Sequence, residues 1–238
     1  MRYSLRMPGT DAGAYDRGDG RGPEMTTFYL ARHGETTWHA DHRYAGNSDV
    51  PLTRHGLGQA AALGAWAVDA QLDAIVASPL SRARRSAAPS VETTGLALRI
   101  DDRLVEIDFG DGEGLTPTEL AERFPEEWAA FCRAPASNPF PGGERGRDGI
   151  ARALPVFDEL VEEFPDGRVL IVAHATLIRL LFCDLAGMDP DGYRDLLPVL
   201  GNCNITTIVY PWATESQVTS HPRIRLLGFD VPPGRAAI

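Results

Sequence analysis

The chain has 238 residues, 43% of them hydrophobic and 24% charged, ordinary globular proportions that exclude wholesale disorder and allow one sizeable core. A formal charge of -10 argues against non-specific binding to nucleic acid or to an anionic membrane, since both need a basic face. All 23 basic residues are arginine, which excludes Schiff-base, pyridoxal-phosphate and Walker-type lysine chemistry and leaves arginine, histidine and backbone to hold any phosphate.

Residues 1–24 are rich in Gly, Asp and Arg without apolar periodicity and are expected to form a disordered leader. Thr26 to Ala31 predicts a central strand that ends in Arg32, His33, Gly34, Glu35 and Thr36. After a turn-forming cluster at Gly46 to Pro51, Thr53 is positioned as the N-cap of a helix over Arg54 to Ala70. Asp73 to Ala77 predicts the next strand, and Ser78-Pro79 supplies a capping residue and a proline for a helix carrying Arg82, Arg84 and Arg85. That helix N-terminus is expected to attract an anion.

Arg99 to Ile107 looks extended and leads past Glu106 into the glycine-rich run Asp108 to Gly114. Thr116 to Arg147 mixes two short helical patches with Pro125, Pro135, Pro139 and Pro141 and the aromatic Phe124, Trp128, Phe131 and Phe140, which reads as a cap or lid. Asp148 to Phe164 predicts a helix, Arg168 to Ala173 a strand ending at His174, and Thr176 to Leu185 an apolar helix stopping near Gly187. Ile205 to Tyr210 and Ile224 to Phe229 complete the strands, followed by a short tail over residues 231–238. The alternation predicts a three-layer α/β/α sandwich with right-handed crossovers, a mostly parallel central sheet, an antiparallel edge strand and a small cap formed by the insertion at about 116–147.

Cys132, Cys183 and Cys203 have no metal-type spacing, and a reducing, cytoplasmic location is expected. No apolar run approaches the ~20 residues needed to span a bilayer. His33, His39 and His42 lack the spacing of a metal site.

Two histidines at the ends of two buried strands can face one another across the crevice where open α/β sheets do their chemistry. Taken singly, His33 reads equally well as an ordinary loop residue and His174 as a core histidine. Together with Arg32 and Arg82 at the same sheet edge, they form a coincidence that random placement would seldom produce, and they predict a functional site.

These segments resemble the histidine phosphatase superfamily, in its phosphoglycerate mutase-like branch. The resemblance rests on Arg32-His33-Gly34-Glu35-Thr36, on Asp49 to Thr53, and on Ser78 to Ala83. It continues through Leu104, Glu106, Phe109 and Gly110, then Pro141 to Glu144, then Val172 to His174, covering Thr26 to about Tyr210. It implies a catalytic domain over residues 25–230 and a phosphohistidine mechanism without metal or cofactor. His33 would attack phosphorus, Glu106 would protonate the leaving oxygen, and Arg32, Arg82 and His174 would complete the catalytic set as phosphate ligands.

Four positions depart from the family pattern. His39 stands where a phosphate-contacting asparagine is usual, Gly112 replaces a tryptophan, Arg145 a serine and Ala175 a glycine. His39 is therefore assigned to phosphate binding. Glu106 and His174 are 174 - 106 = 68 positions apart with no lysine between them, whereas mutases of the family generally have a longer insertion and a lysine there, so the resemblance favours a phosphatase acting on a small phosphorylated metabolite over a mutase. The alternatives are phosphoglycerate mutase-type transfer and a non-catalytic interaction module of the same fold. The sequence leaves the oligomeric state open.

Overall fold

A computed structural model describes residues 25–211 and 223–234. The expected leader and the last four residues of the expected tail lie outside this range.

Strand β1 (Met25–Arg32) alternates its side chains between two apolar layers, because successive residues of a strand point to opposite faces. Phe28 and Leu30 enter one core, while Tyr29 and Ala31 pack with the other. Helix α1 (Arg54–Ala67) begins where expected: the Thr53 hydroxyl accepts from the Gly56 N–H. Strand β2 (Ala74–Ala77) follows, and helix α2 (Ser81–Thr94) packs on α1.

Ser78 does not cap α2. The N-cap is Leu80, without a side-chain bond, and the Ser78 hydroxyl points to His174 instead. The anion at this helix N-terminus is supplied by the chain itself, since Asp49 Oδ1 accepts from the Ser81 N–H and hydroxyl.

Strand β3 (Leu98–Ile100) is shorter than the extended segment expected to Ile107. Asp101 stops it, its carboxylate capping a 3-10 turn at Asp102–Leu104 through the Arg103 N–H. Helices α3 (Pro117–Arg123) and α4 (Pro125–Arg133) are the two patches of the cap. A capping box between Thr116 and Glu119 starts the first, and a proline opens each. Helix α5 (Gly146–Glu163), strand β4 (Arg168–Ala173) and helix α6 (Ala175–Ala186) follow, the last closed by Gly187 at φ 73°. A short helix α7 (Tyr193–Leu196) precedes strands β5 (Ile205–Pro211) and β6 (Arg225–Val231).

The six strands lie in the order β3-β2-β4-β1-β5-β6. The first four are mutually parallel; β5 is antiparallel to β1, and β6 is antiparallel to β5. The strand opposed to the rest is thus β5, inside the sheet, and not the edge strand the sequence suggests. Helices α1 and α2 cover one face, and α5, α6 and the cap cover the other, giving the expected three-layer sandwich. Among the described residues no helix is long and apolar enough to cross a membrane.

Candidate active site

The site is a consequence of strand register. Strands β1 and β4 are neighbours with Arg32 opposite Ala173, so the next residues, His33 and His174, emerge level at one sheet edge. The His33 N–H donates to the Ala173 carbonyl, and the two imidazole centres stand 5.3 Å apart. Gly34 follows His33 because the loop lies against the start of α1, where a side chain would strike the Gly56 backbone. Its N–H is held by the Ser86 hydroxyl of α2.

His33 Nδ1 lies 2.7 Å from the Gly34 carbonyl, and a carbonyl only accepts, so Nδ1 carries the hydrogen. The lone pair of the neutral ring is therefore on Nε2, which has no bond to a described residue. Burial holds the His33 pKa well below its usual 6.5, and the neighbouring His174, Arg32 and Arg82 lower it further. A buried neutral imidazole with an unengaged Nε2 is a nucleophile ready at neutral pH.

Arg82 is wholly buried beneath this ring. Its Nε donates to His174 Nδ1, its Nη1 to the Ser48 carbonyl, and its Nη2 to the carbonyls of Ala45 and Gly46. His174 is also fully buried, and burial, then Arg82 and Arg32, depresses its pKa. With Nδ1 accepting, His174 Nε2 is the donor and bonds to Ser78 Oγ at 2.7 Å.

Arg32 Nη1 donates to the Leu200 carbonyl and Nη2 to His39 Nε2, while its buried Nε has no partner among the described residues. His39 Nδ1 lies 2.8 Å from Thr36 Oγ1 and 3.0 Å from the Thr36 backbone nitrogen. Burial and the Arg32 charge lower the His39 pKa to about 4, so it is a neutral acceptor that orients Arg32. Asn202, from the loop before β5, donates to the His33 carbonyl at 2.8 Å and approaches His39 Nε2 at 3.3 Å.

Glu106 arrives from the far side of the sheet edge. One oxygen accepts from the Ile107 and Leu177 N–H groups and the other from Thr176, the last two at the N-terminus of α6. An Arg152–Glu144 pair fixes its backbone, Arg152 donating to the carbonyls of Arg103, Val105 and Glu106.

Arg32, His33, His39 and Glu106 line one cavity of about 600 Å³, whereas Arg82 and His174 pack behind His33 and are not part of its wall. Of the departures from the family pattern, Gly112 faces the ring of Phe140, which fills the space a larger side chain would need. Arg145 turns outward to an exposed Asp148, and Ala175 opens α6 at the cavity wall. Arg84 and Arg85 are exposed, as a solvated helix face would be. Sequence reasoning missed Asn202, Ser78 as a histidine partner, the Arg152–Glu144 brace, and Arg179 and Arg194 in the cavity wall. None carries a local signal, because each depends on which distant segments meet. Among the described residues no three His, Cys, Asp or Glu side chains gather as a metal site.

A sandwich with two strand-end histidines above a buried arginine has counterparts among known proteins. A sequence model of the histidine phosphatase superfamily, branch 1, matches residues 28–219, and the chain belongs to that superfamily. It is 34% identical over 167 residues to a Bacillus subtilis (strain 168) protein named uncharacterized phosphatase PhoE, spanning 70% of this chain and 81% of that one. Over 198 residues it is 32% identical to a Klebsiella pneumoniae (strain ATCC 700721 / MGH 78578) protein named probable phosphoglycerate mutase GpmB, spanning 82% and 91%. Among solved structures, a native mycobacterial glucosyl-3-phosphoglycerate phosphatase superposes with a TM-score of 0.76 at 31% identity, covering 87% of this chain and 99% of that one.

Proposed function

We propose that the protein is a metal-independent phosphatase that hydrolyses a small phosphorylated metabolite through a phosphohistidine at His33. The observation that carries this reading is the Nδ1–H bond from His33 to the Gly34 carbonyl beside a buried Arg32 Nε without a partner among the described residues, a lone pair and a charged donor on one cavity. The phosphatase-named relatives support it.

His33 Nε2 attacks phosphorus, the bond to the ester oxygen breaks, and Glu106 in its acid form gives that oxygen its proton. Water then attacks the phosphohistidine, the Glu106 carboxylate takes the water proton, and the N–P electron pair returns to Nε2. Arg32 meets the developing oxygen charge through Nε, and Arg82 through the Nη1 hydrogen that no carbonyl uses. His174 holds Arg82 in place and, on exchanging Ser78 for a phosphoryl oxygen, donates from Nε2. His39 contributes to phosphate binding by orienting Arg32. The catalytic domain is assigned to residues 25–230, with the cap over about 116–147.

The test is hydrolysis of p-nitrophenyl phosphate in EDTA by the wild type and by His33→Ala. Hydrolysis lost in the variant and intact in EDTA is expected, and equal rates for the two proteins overturn the reading. The name of the Klebsiella relative raises a second reading, isomerisation of a phosphoglycerate. A mutase converts 3- to 2-phosphoglycerate in the presence of 2,3-bisphosphoglycerate without net phosphate release; a phosphatase releases phosphate.

A further inference from the structure

We propose that the cavity contains a second oxyanion subsite, formed by Arg179 and Arg194, and that the preferred substrates are phosphomonoesters carrying a second anionic group. The inference rests on the reading of His33 as the phosphoryl acceptor.

Among the described residues Arg43, Arg99, Arg103, Arg145, Arg147, Arg152 and Arg223 each have a carboxylate within ion-pair distance. In the cavity wall Arg179 and Arg194 have none among the described residues. Both are nevertheless held in fixed poses. Arg179, on α6, donates through Nε to the Ala175 carbonyl and through Nη1 to the Leu197 carbonyl, and its guanidinium lies 4.6 Å from the Tyr193 ring centre. Its Nη2 is left for a ligand. Arg194, on α7, donates through Nη1 to the Tyr44 hydroxyl and stands 5.2 Å from the Phe131 ring and 6.0 Å from that of Trp128. Its Nε and Nη2 have no acceptor among the described residues.

These guanidiniums are thus gripped by neutral groups that leave one nitrogen of Arg179 and two of Arg194 wholly unengaged among the described residues, the arrangement that suits an oxyanion fork. Of the two carboxylates in the cavity wall, Glu106 already spends its oxygens on three backbone N–H groups, and Asp195 makes no ion pair with either arginine among the described residues. Like charge also accumulates: after burial, Arg179 is the strongest influence lowering the Arg32 pKa to about 10. Arg32 and Arg82 serve the transferred phosphoryl group, so Arg179 and Arg194 remain for an anion elsewhere on the same molecule. Arg194 sits on the cap side, against Trp128 and Phe131, where the non-reacting part of a substrate would lie.

Two substrate pairs separate the possible sources of that anion. 3-Phosphoglycerate and glycerol 3-phosphate differ in a carboxylate, and fructose 1,6-bisphosphate and fructose 6-phosphate differ in a second phosphate. The wild type is expected to prefer the doubly anionic member of at least one pair by about tenfold or more in kcat/KM, and Arg194→Gln is expected to remove most of that preference. Arg194→Lys should restore part of it, and Arg179→Lys, which keeps the charge but not the fork, should weaken it. Each readout is a ratio within one protein, so general damage to the fold cancels. No anion preference in either pair, or a preference untouched by Arg194→Gln, overturns the subsite. Failure of the wild type to hydrolyse even p-nitrophenyl phosphate overturns the phosphatase reading itself, and the subsite with it.

Discussion

The bond from His33 Nδ1 to the Gly34 carbonyl decides which ring nitrogen can act, and burial decides that the ring is neutral when it does. Because the folded ring resists protonation below its usual 6.5, kcat/KM corrected for the substrate's own second ionisation near pH ~6 should show no acid limb near 6.5 from His33. A limb there that disappears on changing the ester but not the buffer points to the substrate; one common to all esters contradicts the account. Arg82→Ala leaves the carbonyls of Ala45 and Gly46 and the Nδ1 of His174 without a donor among the described residues, while the Ser48 carbonyl keeps the Val50 N–H. At about 1–3 kcal/mol for each buried group left unsatisfied, urea unfolding should record a loss of several kcal/mol besides the loss of turnover. Residues at this scale were legible in the sequence when they followed a buried strand directly, as Arg32, His33 and His174 do. Asn202 was not, since nothing in Gly201-Asn202-Cys203-Asn204 indicates that its side chain reaches the carbonyl of His33, the residue just past β1.

Among the elements, α1 ties its own start to the site loop. The Thr53 hydroxyl caps the helix and donates to Glu35, whose carbonyl accepts the Thr53 N–H. Thr53→Ala should cost about 1 kcal/mol of stability by chemical denaturation and raise KM through a looser loop after His33. An unchanged denaturation midpoint contradicts the capping role. Apolar periodicity made the helices and central strands readable because burial on one face demands it. It failed at β3, where Asp101 turns the chain by a local side-chain bond, and at Ser78, where a residue typical of N-caps serves a histidine on another element instead. The cap shows the same limit: its composition announced an irregular segment, but the packing of Tyr44 edge-on against Phe109, Phe131 and Phe140 is a property of the assembled fold.

For the molecule as a whole, the fold class followed from strands alternating with helices, while the direction of β5 did not, because a strand's pattern carries no sign. The buried histidines also set a stability profile. An unfolded His33 or His174 binds a proton below 6.5 and the folded one does not, so their contribution is present above 6.5 and is lost as the pH falls toward the depressed folded values. Between about pH 7.5 and pH 5.5, urea unfolding should record a loss on the order of 1.4 kcal/mol for each, near 3 kcal/mol together; constant stability across that window contradicts the burial of neutral rings. The central claim, that His33 accepts the phosphoryl group, is tested most directly by mixing enzyme with a hydrolysed ester, quenching rapidly in alkali and locating the added phosphoryl group by peptide mass spectrometry. The account predicts an acid-labile phosphohistidine on the peptide containing His33, absent in His33→Ala; a phosphoryl group on any other residue, or none during demonstrable turnover, contradicts it.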